Sequence, residues 1–353
     1  MALLWIDGFD SYGDSVGSAP LPTGVVGLKY TAAVPTIMKV RDGRLGGHSL
    51  SIIYGLYTDL GVVKSPDWTN SDTVVIGVAI KFNSLPGVGP VNFISLYDDT
   101  TLGVNLQMNT SGQLYIYRGG SSLAGPISVG IVTGAWYYFE LKVKCATSGG
   151  TYETRINGNT IAGLTSASAN TKQGTHSYHD GFYISGMGIS GSVENYFDDL
   201  YFLDATGSVN NDFLGNMRVS TLRPNASGDI TQFTPDSGSN YARVNESQYD
   251  TTSYVQTTVS TNEDLYNYDD LSVIATNIKG IQISTVAELT DANSYSLYTH
   301  CKSNGTDNSD TGQGLTANSY TLKTRMLEGD PGNANAAWTQ TTVNAAQFGI
   351  EAV

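Results

Sequence analysis

Four acidic residues crowd into the stretch ENYFDDLYFLD, Glu194 to Asp204. Paired carboxylates are what glycoside hydrolysis requires. They stand about 5–5.5 Å apart in retaining enzymes and about 6.5–9.5 Å apart in inverting ones. Asp198 and Asp199 are neighbours, and neighbours on a regular strand point to opposite faces. They would not face one substrate together. Glu194 and Asp198 share a face but stand roughly 13 Å apart on an extended strand. No Glu-x-Asp-x-x-Glu arrangement occurs anywhere in the chain. The pair is therefore expected to accept hydrogen bonds from backbone amides or to help hold an ion, and the chain is not expected to be an enzyme.

Other residues could bind rather than react. Calcium takes oxygen donors, and Asp98, Asp99, Asp198 and Asp199 are the candidate ligands. No other cofactor is expected. HSYHD, His176 to Asp180, has metal-binding residue types but no expected helix to align them, and reads as a loop at a sheet edge. SNGTDNSDTGQG, 303–314, lacks the order and closing Glu of a calcium loop and reads as a hairpin loop. Tyr54, Tyr57, Trp68 and Tyr178 lie in expected loops, where aromatic rings could stack on a sugar. Tyr266 and Tyr268 could sit at a subunit contact, where aromatic residues are enriched. RLGGHS, 44–49, lacks the strand–loop–helix setting of a phosphate cradle. Cys145 and Cys301 lie far apart, fit no zinc or disulfide spacing, and read as reduced strand residues.

The elements that must position these residues are strands. Forty of the 353 residues are Gly and 22 are Tyr, with only 14% charged, a composition that suits strands and tight turns. Strand-length apolar or alternating runs occur at 25–30, 49–54, 73–82, 91–97, 102–108, 113–118, 136–145, 151–157, 182–189 and 196–203. NTSGQ, 109–113, and INGN, 156–159, read as turns between paired strands. This predicts an all-β fold, an antiparallel jelly-roll sandwich over 1–205. ATGSVNND then reads as a linker, placed at 206–212. A second, smaller β-sandwich is expected over 213–353, with FLGNMRVSTLRP opening a second set of strands and others at 241–245, 254–259, 278–289, 294–302 and 318–327. A short C-terminal helix is expected from the spacing of Trp338, Val343 and Ala346 or Gln347, capped by Thr339.

The net charge is −14. An acidic surface repels phosphate, so nucleic acid is not an expected partner. The longest apolar run, VVIGVAI at 74–80, is far too short to span a bilayer, and no membrane insertion is expected. MALLWIDGFD lacks the basic start of a secretory leader, so none is expected.

GAWYYFELKVKCATSGGTYETRINGNTI, 134–161, resembles the central hairpin of concanavalin A-like, laminin-G-like jelly rolls: a Trp-led strand, a glycine turn and a strand ending in Asn-Gly. VNFISLYDDTTLGVNLQMNTSGQLYIYR, 91–118, resembles the strands before it. YFDDLYFLD resembles their closing strand, which pairs near the amino-terminal one, here LLWIDGFDSY. Trp136 is then expected to anchor the sandwich core. The whole chain, from WIDGFDSY to WTQTTVNAAQFGIEAV, resembles virion structural proteins of tailed bacteriophages. That resemblance implies a non-enzymatic virion protein assembled in the host cytoplasm, most simply a tail-tip or baseplate component for host attachment. Its implied partners are other virion proteins, further copies of itself in a homo-oligomer such as a trimer, and a host surface glycan. Capsid decoration is the alternative placement. A free carbohydrate-binding lectin module or a glycoside hydrolase are the alternative classes, since this fold hosts all of them.

Overall fold

The computed structural model describes residues 2–13, 16–17, 21, 23–31, 37–53, 59–63, 70–187, 194–272, 274–291 and 294–353. The chain is all-β and antiparallel, and it divides into two compact units, Met1–Val219 and Ser220–Val353.

The first unit is a jelly-roll sandwich of two sheets. One runs in the order Asn159–Ala169, Gly150–Ile156, Trp136–Lys144, Thr73–Phe82, Glu194–Asp204, His48–Ile53, Met38–Asp42, with Leu3–Asp7 also on Glu194–Asp204. The other runs Asp59–Val63, Gly181–Ser185, Val91–Asp98, Thr101–Met108, Gln113–Arg118, Ser121–Ser128. The opening and closing strands pair as the sequence order implied, with Trp5 opposite Phe202 and Asp7 opposite Leu200. Alternation along these strands sends one set of side chains into the space between the sheets. There Phe82, Phe93 and Phe139 meet edge to face with ring centroids 5.2 to 5.8 Å apart. Asn157 and Gly158 have φ of 51° and 79°, as a tight hairpin turn demands, and the Asn157 side chain accepts from the Tyr138 amide at 2.8 Å.

Trp136 is not part of that core. It lies opposite Lys81 on the outer face of its sheet, half-buried, with the Lys81 ammonium 5.1 Å above its ring. The inward residue of this strand is Phe139, three positions on. The run at 25–30 is not a strand but part of a helix, Thr23–Lys29. Its β-branched residues favour a strand, yet a helical turn lets Val26 enter the core and places Lys29 and Tyr30 on one carboxylate, that of Asp7. Tertiary demand overrides local propensity.

Asp7 explains the opening motif WIDGFDSY. Its buried carboxylate accepts from the Phe9 amide at 2.9 Å, the Tyr12 and Tyr30 hydroxyls at 2.7 and 2.8 Å, and the Lys29 ammonium at 3.2 Å. Phe9 holds φ of 58° to turn the chain around it. At Gly8 a side chain would overlap the Val219 carbonyl, so only glycine admits that close approach.

The segment expected as a linker lies inside the first unit, which runs on to Val219. The Leu214 amide donates to the Tyr201 hydroxyl, the Gly215 amide to Glu140, and the Val219 amide to Asp199. Residues 213–223 therefore form no strand. The part up to Val219 is irregular chain whose amides are spent on hydrogen bonds to the first sheet.

The second unit is the smaller β-sandwich. Its main sheet runs Pro224–Thr231, Glu263–Tyr268, Gln347–Ala352, Ser296–Ser303, Thr306–Ser309, with Gln313–Gly314 also on Ser296–Ser303. Ile281–Ala287 pairs with Thr321–Leu327, and Ile283 and Leu327 join Cys301, Trp338, Val343 and Phe348 in one core. The C-terminal helix is Gln340–Ala345, capped by Thr339, whose hydroxyl accepts from the Thr342 amide. It ends early because Gln347–Ala352 fills the central strand position. The run at 241–245 is a 3-10 turn, Asn240–Arg243, held because Asn240 donates to the Phe233 carbonyl and to Asp264. Tyr266 is buried and donates to Asp264, and Tyr268 packs on Phe348.

Asp7→Ala leaves two buried phenol hydroxyls and an ammonium without their acceptor. It should lower stability by about 3 kcal/mol or more in urea unfolding, with Asp7→Asn costing less because the shape is kept.

Candidate functional site

Asp198 and Asp199 do face one partner, against the expectation from a regular strand. The Glu194–Asp204 strand carries a β-bulge between Asp198 and Tyr201, and Asp199 adopts φ of 52°. The bulge turns both carboxylates toward Arg44. Asp198 accepts from the Arg44 amide at 2.7 Å and the Asp199 amide at 2.8 Å. Asp199 accepts from the Arg44 guanidinium at 2.7 and 2.9 Å and from the Val219 amide at 2.7 Å. Arg44 reaches onward to Asn216 and the Met217 carbonyl, and its guanidinium lies 5.1 Å from the Tyr138 ring centre. Burial raises the Asp198 carboxyl, and the neighbouring Asp199 charge adds to it. Glu194, the same-face partner a hydrolase would need, is tied to Arg41 at 2.7 Å. Beside this network lies a pair that the sequence did not flag. Glu140, fully buried, accepts from the Tyr201 hydroxyl at 2.5 Å. Gly77 makes room for it, because any side chain there would overlap the Tyr201 ring.

Asp98 and Asp99 belong to the other sheet, at the turn between Val91–Asp98 and Thr101–Met108, and share no partner with Asp198 and Asp199. They meet His176 and Tyr178 instead. Asp98, buried, accepts from the His176 amide at 2.9 Å and contacts its Nδ1 at 2.6 Å; Asp99, exposed, has a carboxylate oxygen 3.6 Å from the same nitrogen. The His176 and Tyr178 rings stack 4.7 Å apart and nearly parallel. Thus Tyr178, expected for sugar stacking, and Asp98 and Asp99, expected for an ion, form one rim. Burial works to raise the Asp98 carboxyl, but its hydrogen bonds from His176 outweigh burial and hold it low; the same contact raises the His176 imidazole. Asp180 accepts from the Asp99 amide at 2.9 Å and closes the loop. Tyr54, Tyr57 and Trp68 lie outside the described residues.

Among the described residues two side-chain groups could hold a metal ion: Asp98, Asp99 and His176 at this rim, and Glu263, His300 and Asp307 in the second unit. The second group had no signal in the sequence, because its members are separated by many residues and only strand pairing brings them together. The 303–314 loop is a plain hairpin, with Asn304 and Gly305 at φ of 50° and 74°. Cys145 and Cys301 are free and buried, and burial pushes their thiols up to about 11 and about 12.

No family model matches the chain, and no curated protein matches it. Solved structures similar to part of it include the following three. The Trypanosoma rangeli sialidase in complex with the inhibitor DANA is 14% identical over 47% of this chain and 27% of that chain, with a TM-score of 0.33. Domain 4 of a GH43 extracellular arabinanase from Geobacillus stearothermophilus, in complex with arabinotriose, is 13% identical over 47% and 75%, also at 0.33. The catalytic domain of the glycoside hydrolase family 131 protein from Coprinopsis cinerea is 15% identical over 48% and 74%, at 0.32. The match spans about a quarter of the sialidase. Likeness of this degree carries no argument about what the chain does.

His179 gives the rim a pH dependence. Gly103 admits its ring, which is buried with Nδ1 lacking a hydrogen-bond partner. Burial pushes its imidazole down to about 4, against a weaker upward pull from Asp98. The unfolded chain takes this proton near pH 6.5, whereas the folded chain refuses it until about 4. Stability is therefore full above pH 6.5 and falls as pH drops through that window, by on the order of 2–3 kcal/mol. Urea unfolding of His179→Gln should show a flatter loss between pH 6.5 and 4 than the parent chain.

Proposed function

We propose that this chain is a non-catalytic structural protein of a tailed-bacteriophage particle, a tail-tip or baseplate component that attaches to a surface glycan. The observation that carries the non-catalytic reading is the engagement of its paired acids. Asp198 and Asp199 are held by Arg44 and by backbone amides, and Glu194 by Arg41. Asp198 accepts from two structural donors and Asp199 from three, which commits their oxygens to the frame, whereas a proton-transfer carboxylate must reach the reacting group. Supporting the placement are the resemblance of the opening, closing and C-terminal motifs to virion proteins and a net charge of −14, which keeps a protein soluble at high local copy number.

The glycan contact in this reading is the rim. The stacked His176 and Tyr178 rings offer a flat apolar face, and exposed Asp99 offers an acceptor for sugar hydroxyls. Calcium would enter here as a bridging ion, with Asp98 and Asp99 supplying oxygens and sugar or water completing the shell. Further copies of the chain are the expected partners, since appendages of such particles are symmetric oligomers.

A glycan array probed with the labelled chain tests this. Binding should occur, fall at least about tenfold in Tyr178→Ala, about 1.4 kcal/mol, and drop on chelation if calcium bridges. The same panel should yield no released sugar. Sugar release that disappears in Asp198→Asn or Glu194→Gln would contradict the reading. An array without signal, together with broad binding to a capsid protein, would move the chain to capsid decoration.

A further inference from the structure

The second unit holds a cluster that the adhesion reading does not use. His300 stands on the Ser296–Ser303 strand with its side chain 8% exposed. Its Nδ1 lies 3.0 and 3.1 Å from the two Asp307 oxygens and 3.4 Å from Glu263 Oε1. Its Nε2 lies 3.0 Å from Glu351 Oε2. Sheet register sets these positions. Glu263 and Glu351 are directly opposite each other on paired strands, the strand of Glu351 also pairs with that of His300, and Asp307 stands across the hairpin from Lys302. Side chains held by paired strands are placed more firmly than side chains on loops.

The arrangement sets three carboxylates around one imidazole. If the neutral imidazole donates from Nε2 to Glu351, its Nδ1 lone pair faces two carboxylates, acceptor against acceptors. If it is doubly protonated it satisfies Asp307. Three carboxylates then face one positive charge, and the buried Glu263 Oε1 still has no hydrogen-bond donor. A cation among Nδ1, Asp307 and Glu263 removes both defects. The spacing suits one: ligand atoms about 2.0–2.1 Å from a tetrahedral zinc ion lie about 3.3 Å from each other, and the Nδ1 distances here run from 3.0 to 3.4 Å. A histidine that binds metal through one ring nitrogen commonly donates the other to a carboxylate, which is the relation of Nε2 to Glu351.

We propose that Glu263, His300 and Asp307 bind a divalent transition-metal ion of the zinc class, with Glu351 orienting the imidazole. Nitrogen and carboxylate oxygen together are the donors that such ions accept. Asp307 is 32% exposed, which leaves an entry path and a place for water as a further ligand. The bound ion ties the Thr306–Ser309 hairpin to the Glu263–Tyr268 strand across the sheet.

The test uses the full chain, stripped with chelator, desalted and titrated with zinc in a calorimeter, with thermal unfolding read in parallel. One zinc per chain should bind and raise the melting temperature. Both effects should persist in His176→Gln, which removes the rim histidine, and vanish in His300→Gln. Asp307→Asn, on the outer hairpin where folding is least at risk, should also abolish them. Glu351→Gln should weaken binding about 10–100-fold. Cobalt in place of zinc should give the visible absorption of a tetrahedral site. Absence of zinc binding by the parent chain, binding unchanged in Asp307→Asn, or binding lost in His176→Gln rather than His300→Gln would each overturn the proposal.

Discussion

Arg44 is the cation on which the first unit depends. Buried carboxylates are stable only where donors surround them, because the desolvation penalty of each charge is several kcal/mol. Arg44 meets that requirement for Asp199 with its guanidinium and for Asp198 with its amide. The same side chain holds Asn216 and the Met217 carbonyl. One residue thus joins the turn between Met38–Asp42 and His48–Ile53, the bulge of the closing strand, and the extended segment that ends at Val219. The network lies on the outer face of the sheet, where Tyr138, Tyr201 and Glu140 continue it.

This arrangement gives the acidity of the chain a structural purpose. Asp7 gathers the opening strand and the Thr23–Lys29 helix; Asp98 gathers the 176–180 loop; Asp264 gathers Gln232, Phe233, Asn240 and Tyr266 in the second unit. In each case a carboxylate at or near a strand end takes most of its donors from segments that lie outside the strands. That is a general solution for loops in an all-β protein, since their backbone donors must be satisfied somewhere. It also separates the acids that hold the fold from the exposed rim at Asp99, where a partner has access.

Much of this was legible in the sequence, and the failures have physical causes. Alternation revealed the long strands of the sandwich, and Asn157-Gly158 marked its central turn, because period-2 burial and positive φ leave direct traces in residue type. The pairing of the opening and closing strands was visible through resemblance. The opposite-face argument for Asp198 and Asp199 failed because it assumed a regular strand, and a non-glycine residue in a left-handed bulge leaves no compositional mark. The helix at Thr23–Lys29 was hidden by its valines. The unit boundary falls at Val219 rather than at 212 because the Leu214, Gly215 and Val219 amides bond to the first sheet, and irregular chain of that kind carries no periodic signal. Arg44 and His300 were invisible for one shared reason: their partners lie far along the chain, Asp199 from Arg44 and Glu351 from His300.

The central claim is that the Asp198–Asp199 pair belongs to the frame and not to chemistry. A double-mutant cycle of Arg44→Met and Asp199→Asn, read by denaturant unfolding, tests it most directly. The account predicts that Arg44→Met alone costs about 3–5 kcal/mol, because it strands buried charge. It also predicts that the double variant is more stable than the sum of the singles by about 1–3 kcal/mol. Additivity within about 0.5 kcal/mol, with each single change nearly neutral, would show that the pair does not hold the fold and would contradict the account.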